Sequence, residues 1–204
     1  MIKNIIFDFG GVIVDISRTG AVKRFEELGL TNAEELLDKY HQKGIFLEVE
    51  DGKIGAEEFC TKLGELCGRE ISLEESKHAW LGFMTGIPLY RLEYLEELRK
   101  NYNLYLLSNT NPFIMSWARS EELSPLQKPL DSYFDKLYLS YQVGIVKPDK
   151  EIFEYLIKDA AINPAESIFV DDGKANVEMA QSLGFQTMQP INGEDWRQKL
   201  DAML

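Results

Sequence analysis

A chain of 204 residues, 45% hydrophobic and 27% charged, is long enough to bury one sizeable core plus an insertion and too apolar to be disordered. Its 34 acidic against 22 basic residues leave a net charge of −12, which argues against nucleic acid and against an anionic membrane as partner. The N-terminal apolar run is interrupted by Lys3 and Asp8, and no stretch reaches the roughly 18 apolar residues of a membrane span, so the expected location is cytoplasmic.

In chain order, Ile5-Ile6-Phe7 reads as a buried strand that breaks at Asp8 into Gly10-Gly11. A carboxylate at the carboxyl end of a strand, against a loop bare of side chains, suits attack on phosphate. Ligands of open α/β sheets bind at that edge, and glycines let backbone N–H groups approach an anion. The next strand, at 103–107, ends at Ser108, 100 positions after Asp8, whereas a strand–helix–strand unit needs only about 30. Something sizeable is therefore inserted.

The periodicity of the insertion is helical over 18–28, 31–40 and 56–67, with a further helix opened by the capping box Ser72-Leu73-Glu74-Glu75. Its least regular part, 41–52, holds the polar residues that face substrate choice. His41 is the candidate for a substrate hydroxyl, while Glu48 and Glu50 read as solvated charges. Phe46, Phe59, Trp80 and Phe83 are expected to build the core of the insertion rather than a sugar-stacking platform. Cys60 and Cys67 sit two turns apart on one helix, roughly 10 Å, too far to bridge. Ile87-Pro88 marks the return, followed by a helix at 90–100. The expected organisation is a core of residues 1–15 and 88–204 and an inserted helical cap at 16–87.

The remaining strands each end in polar residues. The strand 103–107 runs into Ser108-Asn109-Thr110-Asn111 before Pro112 opens a helix, which brings hydroxyl, amide and helix N-terminus together. A strand at 136–140 precedes Lys147, itself directly before Pro148 and a helix. A strand at 167–170 closes on Asp171-Asp172, followed by Gly173 and a helix at 174–183. Taken singly these are ordinary helix caps and a solvated lysine. Taken in order they place a nucleophile, a hydroxyl, a cation and an acidic pair on successive strands of one sheet. Asp8, Asp171 and Asp172 would repel in one cleft without a compensating cation, and oxygen ligands beside a phosphate point to Mg²⁺. With only His41 and His78, the chain is too poor in histidine for a three-histidine zinc site.

On these motifs the chain resembles the haloacid dehalogenase (HAD) superfamily of aspartate-nucleophile phosphohydrolases. Leu107 to Asn111, Tyr138-Leu139-Ser140 with Gly144 to Pro148, and Phe169 to Asp172 with Asn176 resemble the bacterial α-D-glucose-1-phosphate phosphatase group. The resemblance implies an α/β fold, a Rossmann-like doubly wound parallel sheet with an inserted α-helical cap. It also implies a Mg²⁺-dependent phosphatase acting on a small phosphorylated metabolite such as glucose 1-phosphate through an aspartyl-phosphate on Asp8. Asp8, Ser108, Lys147 and Asp171 would be catalytic, and Ser108, Asn109 and Lys147 would hold the substrate. Asp8, Asp172 and the backbone carbonyl of Gly10 would ligate the metal, with Asp171 contributing directly or through water.

One departure stands out. Most phosphatases of this superfamily carry a second Asp two residues after the nucleophile as acid and base, and here, as in the resembled subgroup, that position is glycine, Gly10. Such a group is worth roughly 10² to 10⁴ in rate. Its loss favours a substrate with a good leaving group, such as an anomeric phosphate. It also leaves open a haloacid dehalogenase-type hydrolase and a catalytically silent phosphometabolite-binding protein. The oligomeric state is not legible.

Overall fold

In the computed structural model, which describes residues 1–38 and 42–204, five short apolar runs pair into one parallel sheet. The strands in chain order are β1 (Asn4–Phe7), β2 (Asp15–Ile16), β3 (Met84–Gly86), β4 (Asn103–Ser108), β5 (Lys136–Leu139), β6 (Ser167–Val170) and β7 (Gln186–Met188). The sheet order is β5-β4-β1-β6-β7, while β2 and β3 form a separate antiparallel pair. The chain thus walks outward from β1 to β5, crosses back, and continues on the far side of β1 from β6. The crevice between β1 and β6 is the switch point, the place where such sheets take ligands.

Register carries that rule down to residues. Phe7 pairs with Leu106 on one side and Val170 on the other. Asp8 and Asp171 therefore leave the sheet side by side, one residue before β4 ends at Ser108, and the Asp8 N–H donates to the Val170 carbonyl at 2.8 Å. Alternate residues of a strand face opposite sides, and here both sides are covered. Ile5 and Phe7 pack with Leu92 and Leu95, whereas Ile6 and Phe169 pack with Ile152, Phe153 and Leu156. Burial on both faces is why these strands read as unbroken apolar runs.

The helices are α1 (Arg18–Glu27), α2 (Ala33–Leu36), α3 (Ile45–Glu50), α4 (Ala56–Cys67), α5 (Leu73–Trp80), α6 (Leu89–Leu98), α7 (Pro112–Ala118), α8 (Ser140–Val143), α9 (Lys150–Asp159), α10 (Lys174–Ser182) and α11 (Arg197–Asp201). Among the described residues no helix is long and apolar enough to cross a membrane. The first five lie between β2 and β3 and share an aromatic centre. Phe25 meets Phe46 edge-on at 4.9 Å and Trp80 at 5.7 Å, and Phe59 reaches Phe113 of α7 at 5.3 Å. Phe46, Phe59, Trp80 and Phe83 are all buried, as their reading as core residues requires. The capping box at Ser72 forms in full, with the Ser72 N–H donating to Glu75 and the Glu75 N–H to the Ser72 hydroxyl. Cys60 and Cys67 are free thiols.

Two local expectations are corrected. Among the described residues of 31–40 the pattern yields only α2, because Leu37 turns extended and the Arg18 guanidinium takes the carbonyls of Glu34 and Leu37, which a longer helix would need for itself. His41 lies outside the described residues. The stretch 41–52, read as irregular, contains α3, which starts after Gly44 and buries Phe46, Val49 and Glu50. Just beyond it, Gly52 has φ +74° and lies so close to the core that a β-carbon there would come 2.4 Å from the Tyr141 carbonyl oxygen. The paired strands β2 and β3, where the chain leaves and re-enters the core, are too short to show any periodicity.

A buried arginine braces the loop after β1. Arg91 of α6, fully buried, donates to the Ile13 carbonyl, to Asp15 at 2.7 Å and to the Glu194 carbonyl at 2.9 Å. Trp196 adds an indole N–H to the Val12 carbonyl at 2.9 Å. The loop that carries the glycines is thereby tied to both the sixth helix and the C-terminal segment.

Candidate active site

At the carboxyl edge of the sheet, Lys147 joins two of the four strand ends. Its ammonium is 2.6 Å from Asp171 Oδ2 and 3.0 Å from Asp8 Oδ1, with the lysine side chain 1% exposed and Asp171 wholly buried. Asp171 spends its remaining capacity locally, its Oδ1 accepting from the Gly173 N–H at 2.7 Å and its two oxygens from Asn176 at 3.0 and 3.1 Å. Asp8, Asp171 and Asp172 each bring a carboxylate oxygen within 4.8 Å of the others. Gly11 makes this approach possible: at φ +79°, a β-carbon on it would fall 2.3 Å from Asp172 Oδ2.

Asn109 lines the cleft and brackets the Lys147 backbone with its amide. Its Nδ2 donates to the Lys147 carbonyl at 2.8 Å and its Oδ1 accepts from the Lys147 N–H at 2.7 Å. Asn111 caps α7 by accepting from the N–H groups of Phe113 and Ile114, each at 3.1 Å. The segment is thus helix cap and site at once, with Ser108, 2% exposed, lining the cleft.

The electrostatics follow from three acids and one cation gathered at the buried end of the cleft. Burial pushes Asp8 up to about 7; Lys147 pulls it down, and Asp171 and Asp172 push it further up. Desolvation pulls Lys147 down, but Asp171 and Asp8 outweigh it and leave the ammonium above its ordinary value. Among the described residues lining the cleft, Lys147 is the only cationic one. A second positive charge would relieve the carboxylates, and the all-oxygen donor set suits a hard divalent ion.

The cleft encloses about 620 Å³ between this edge and the inserted helices, part of it open to solvent, and Trp80, Phe83, Gln42 and Glu50 form its far wall. Glu50 was read as a solvated charge; it is 6% exposed and inside the site. Its neighbours Glu48 and Asp51 do pair with lysines, Lys62 and Lys53, at 2.9 and 2.6 Å. Burial drives Glu50 up to about 8; the nearby Asn111 amide opposes this, and Asp8 and Asp51 reinforce it. Asn111 Nδ2 finds no well-aligned acceptor, yet lies near enough to favour the charged carboxylate. The available signal was Glu50 falling in step with Phe46 and Val49 on one helical face.

This burial has a sign for stability. Between the ordinary carboxylate value and about 8, folded Glu50 keeps a proton that unfolded Glu50 has released, so the metal-free protein loses stability as pH rises through that window. The contribution approaches roughly 1 kcal/mol per pH unit. Urea unfolding of the metal-free protein at pH 5 and pH 8 should show the fall, and Glu50→Gln should reduce the slope. An unchanged slope in that variant would place the Glu50 carboxyl in water.

The haloacid dehalogenase-like hydrolase family matches residues 2–184. The chain belongs to that family and is an enzyme of it, with the parts of a phosphatase in place. D-ribitol-5-phosphate phosphatase of Bacteroides thetaiotaomicron is 59% identical over 204 residues, covering 100% of this chain and 99% of that protein. A HAD-like family hydrolase from Porphyromonas gingivalis has the same fold with a TM-score of 0.96 at 42% identity, covering 100% of this chain and 98% of that one. A HAD family enzyme of Bacteroides thetaiotaomicron, solved in complex with magnesium and inorganic phosphate, matches with a TM-score of 0.90 at 38% identity, over 98% and 99% of the two chains.

Proposed function

We propose that the chain is a Mg²⁺-dependent phosphatase that releases inorganic phosphate from a small phosphorylated polyol or sugar, through an aspartyl-phosphate on Asp8. Residues 1–15 and 88–204 serve as the catalytic core and 16–87 as the cap that faces the substrate. The observation that carries this reading is the cluster of Asp8, Asp171 and Asp172 around one buried lysine at the sheet's switch point.

Asp8 attacks phosphorus in line, and the mixed anhydride it forms is then opened by water. Lys147 meets the equatorial phosphoryl oxygens as a fixed point charge, while the Ser108 hydroxyl and the glycine-loop N–H groups hold them in place. Asn109 keeps Lys147 in register, and Asp171 orients its ammonium. The donor set fits Mg²⁺: Asp8, Asp172 and the Gly10 carbonyl would hold it, and Asp171, already engaged on both oxygens, would reach it through water. When bound, it supplies the charge that keeps Asp8 ionised at neutral pH and offsets that of the transferring group.

Hydrolysis should stop in excess EDTA and return with Mg²⁺, and Asp172→Ala should weaken Mg²⁺ binding by at least roughly tenfold, read by calorimetric titration. Full turnover in EDTA would favour the dehalogenase-type reading instead, since that chemistry also uses an aspartate but needs no metal.

Two substrates divide the proposal. The name of the 59% identical relative points to a primary polyol phosphate, ribitol 5-phosphate. Glycine at position 10 points to an easier leaving group, as in glucose 1-phosphate. Steady-state kcat/KM on the two, with Mg²⁺ at saturation, decides between them; absence of turnover on both and on an aryl phosphate would sink the phosphatase reading.

A further inference from the structure

We propose that Glu50, delivered from helix α3 of the inserted segment, is the general acid and base of this site, in place of the side chain that position 10 lacks. The proposal rests on the phosphatase reading above and supplies the proton that a primary alkoxide leaving group demands.

The placement is specific. Glu50 is the last residue of α3 and lines the same cleft as Asp8, Ser108 and Lys147, at 6% exposure. The cations on neighbouring turns, Lys53 and Lys62, are taken by Asp51 and Glu48. A purely structural role beside Asn111 would be filled at lower cost by glutamine, which has the same shape and no charge to bury. A carboxyl kept in this pocket holds its proton at neutral pH, which is the state an acid needs before the first step.

The steps balance. As the Asp8 oxygen bonds to phosphorus and the phosphorus–oxygen bond to the alcohol breaks, the Glu50 proton passes to the departing oxygen. The alcohol leaves, with an aspartyl-phosphate and a Glu50 carboxylate behind. That carboxylate then takes a proton from the water that attacks phosphorus. The Asp8–phosphorus bond breaks, inorganic phosphate forms, and both side chains return to their starting states.

The test compares leaving groups in Glu50→Gln with Mg²⁺ present. Hydrolysis of ribitol 5-phosphate should fall by about 10² to 10⁴, the worth of a positioned acid. With 2,4-dinitrophenyl phosphate, whose phenolate leaves without a proton, the variant should still give a stoichiometric burst of phenolate and then turn over slowly, because the second step lacks its base. Burst amplitude counts competent sites, so partial misfolding does not imitate the result. If the glutamine variant does not fold, Glu50→Asp carries the same comparison with the acid drawn back by one methylene. Loss of the phenolate burst, so that the first step falls equally on both substrates, or no loss on ribitol 5-phosphate, would overturn the assignment of Glu50. Wild-type protein inert toward both substrates would instead overturn the phosphatase reading on which it rests.

Discussion

Asp8→Asn should lower hydrolysis of any phosphate monoester by roughly 10⁴-fold or more while the protein stays folded. An amide cannot form the anhydride with phosphorus, so the loss falls on the chemical step and not on binding. Folding should survive because the amide oxygen can still accept from the Phe9 N–H, which donates to Asp8 at 2.7 Å, and because the site is already short of positive charge. With burial holding Asp8 up to about 7 in the metal-free protein, removing its charge should leave stability equal or higher. Single-turnover measurements on an aryl phosphate, beside urea unfolding, check both halves. Wild-type turnover in the variant would make some other residue the nucleophile.

Lys147→Met should be the most destabilising change in the core of the site, by about 3 to 5 kcal/mol in the metal-free protein. The apolar stem is kept, so packing is largely preserved. What is lost is the only cation within 3.0 Å of Asp8 and 2.6 Å of Asp171 among the described residues, and Asp171 has no exposure through which water could take over. Saturating Mg²⁺ should restore part of the stability by bringing a cation back among the carboxylates. Turnover should stay low, because the transferring group has lost its fixed positive partner. Urea titrations with and without Mg²⁺ give the answer. A loss as small as an exposed ion pair gives, under about 1 kcal/mol, would mean that the pair is solvated.

The edge that carries the chemistry was legible because sheet geometry copies sequence order into space. Apolar runs ending in Asp8, Ser108 and Asp171 need only parallel pairing to bring those residues together, and the register of Phe7 with Leu106 and Val170 does so. Lys147 was legible from its place before Pro148, though not the reason it stays in position, since the bracket from Asn109 joins backbone and side chain across two separate loops.

The far wall of the cleft was much less legible. A glutamate at the end of a short helix looks solvated unless its neighbours in space are known, and here they include Asn111, from beyond the insertion. Arg91 hides for the same reason. It lies on the buried face of α6 with Leu92, Leu95 and Leu98, and its acceptors at Ile13, Asp15 and Glu194 come from opposite ends of the chain. Both are buried ionisable side chains, and helical phase can mark the burial of Glu50 beside Phe46 and Val49 but not the partners that tertiary contacts bring to either residue.

Gly52 ties this wall to the sheet. With φ +74° and no room for a β-carbon against the Tyr141 carbonyl, the backbone two residues after Glu50 lies directly on α8, the short helix that follows β5. Any side chain at 52 must lift the end of α3 away from the sheet, and Glu50 with it, without altering one atom that meets phosphate. The enzyme's tolerance for poor leaving groups would then be governed by a residue that has no functional group, through contact distance alone. Divergent chains of this family could narrow their substrate range at such a position while every motif at the strand ends stays intact.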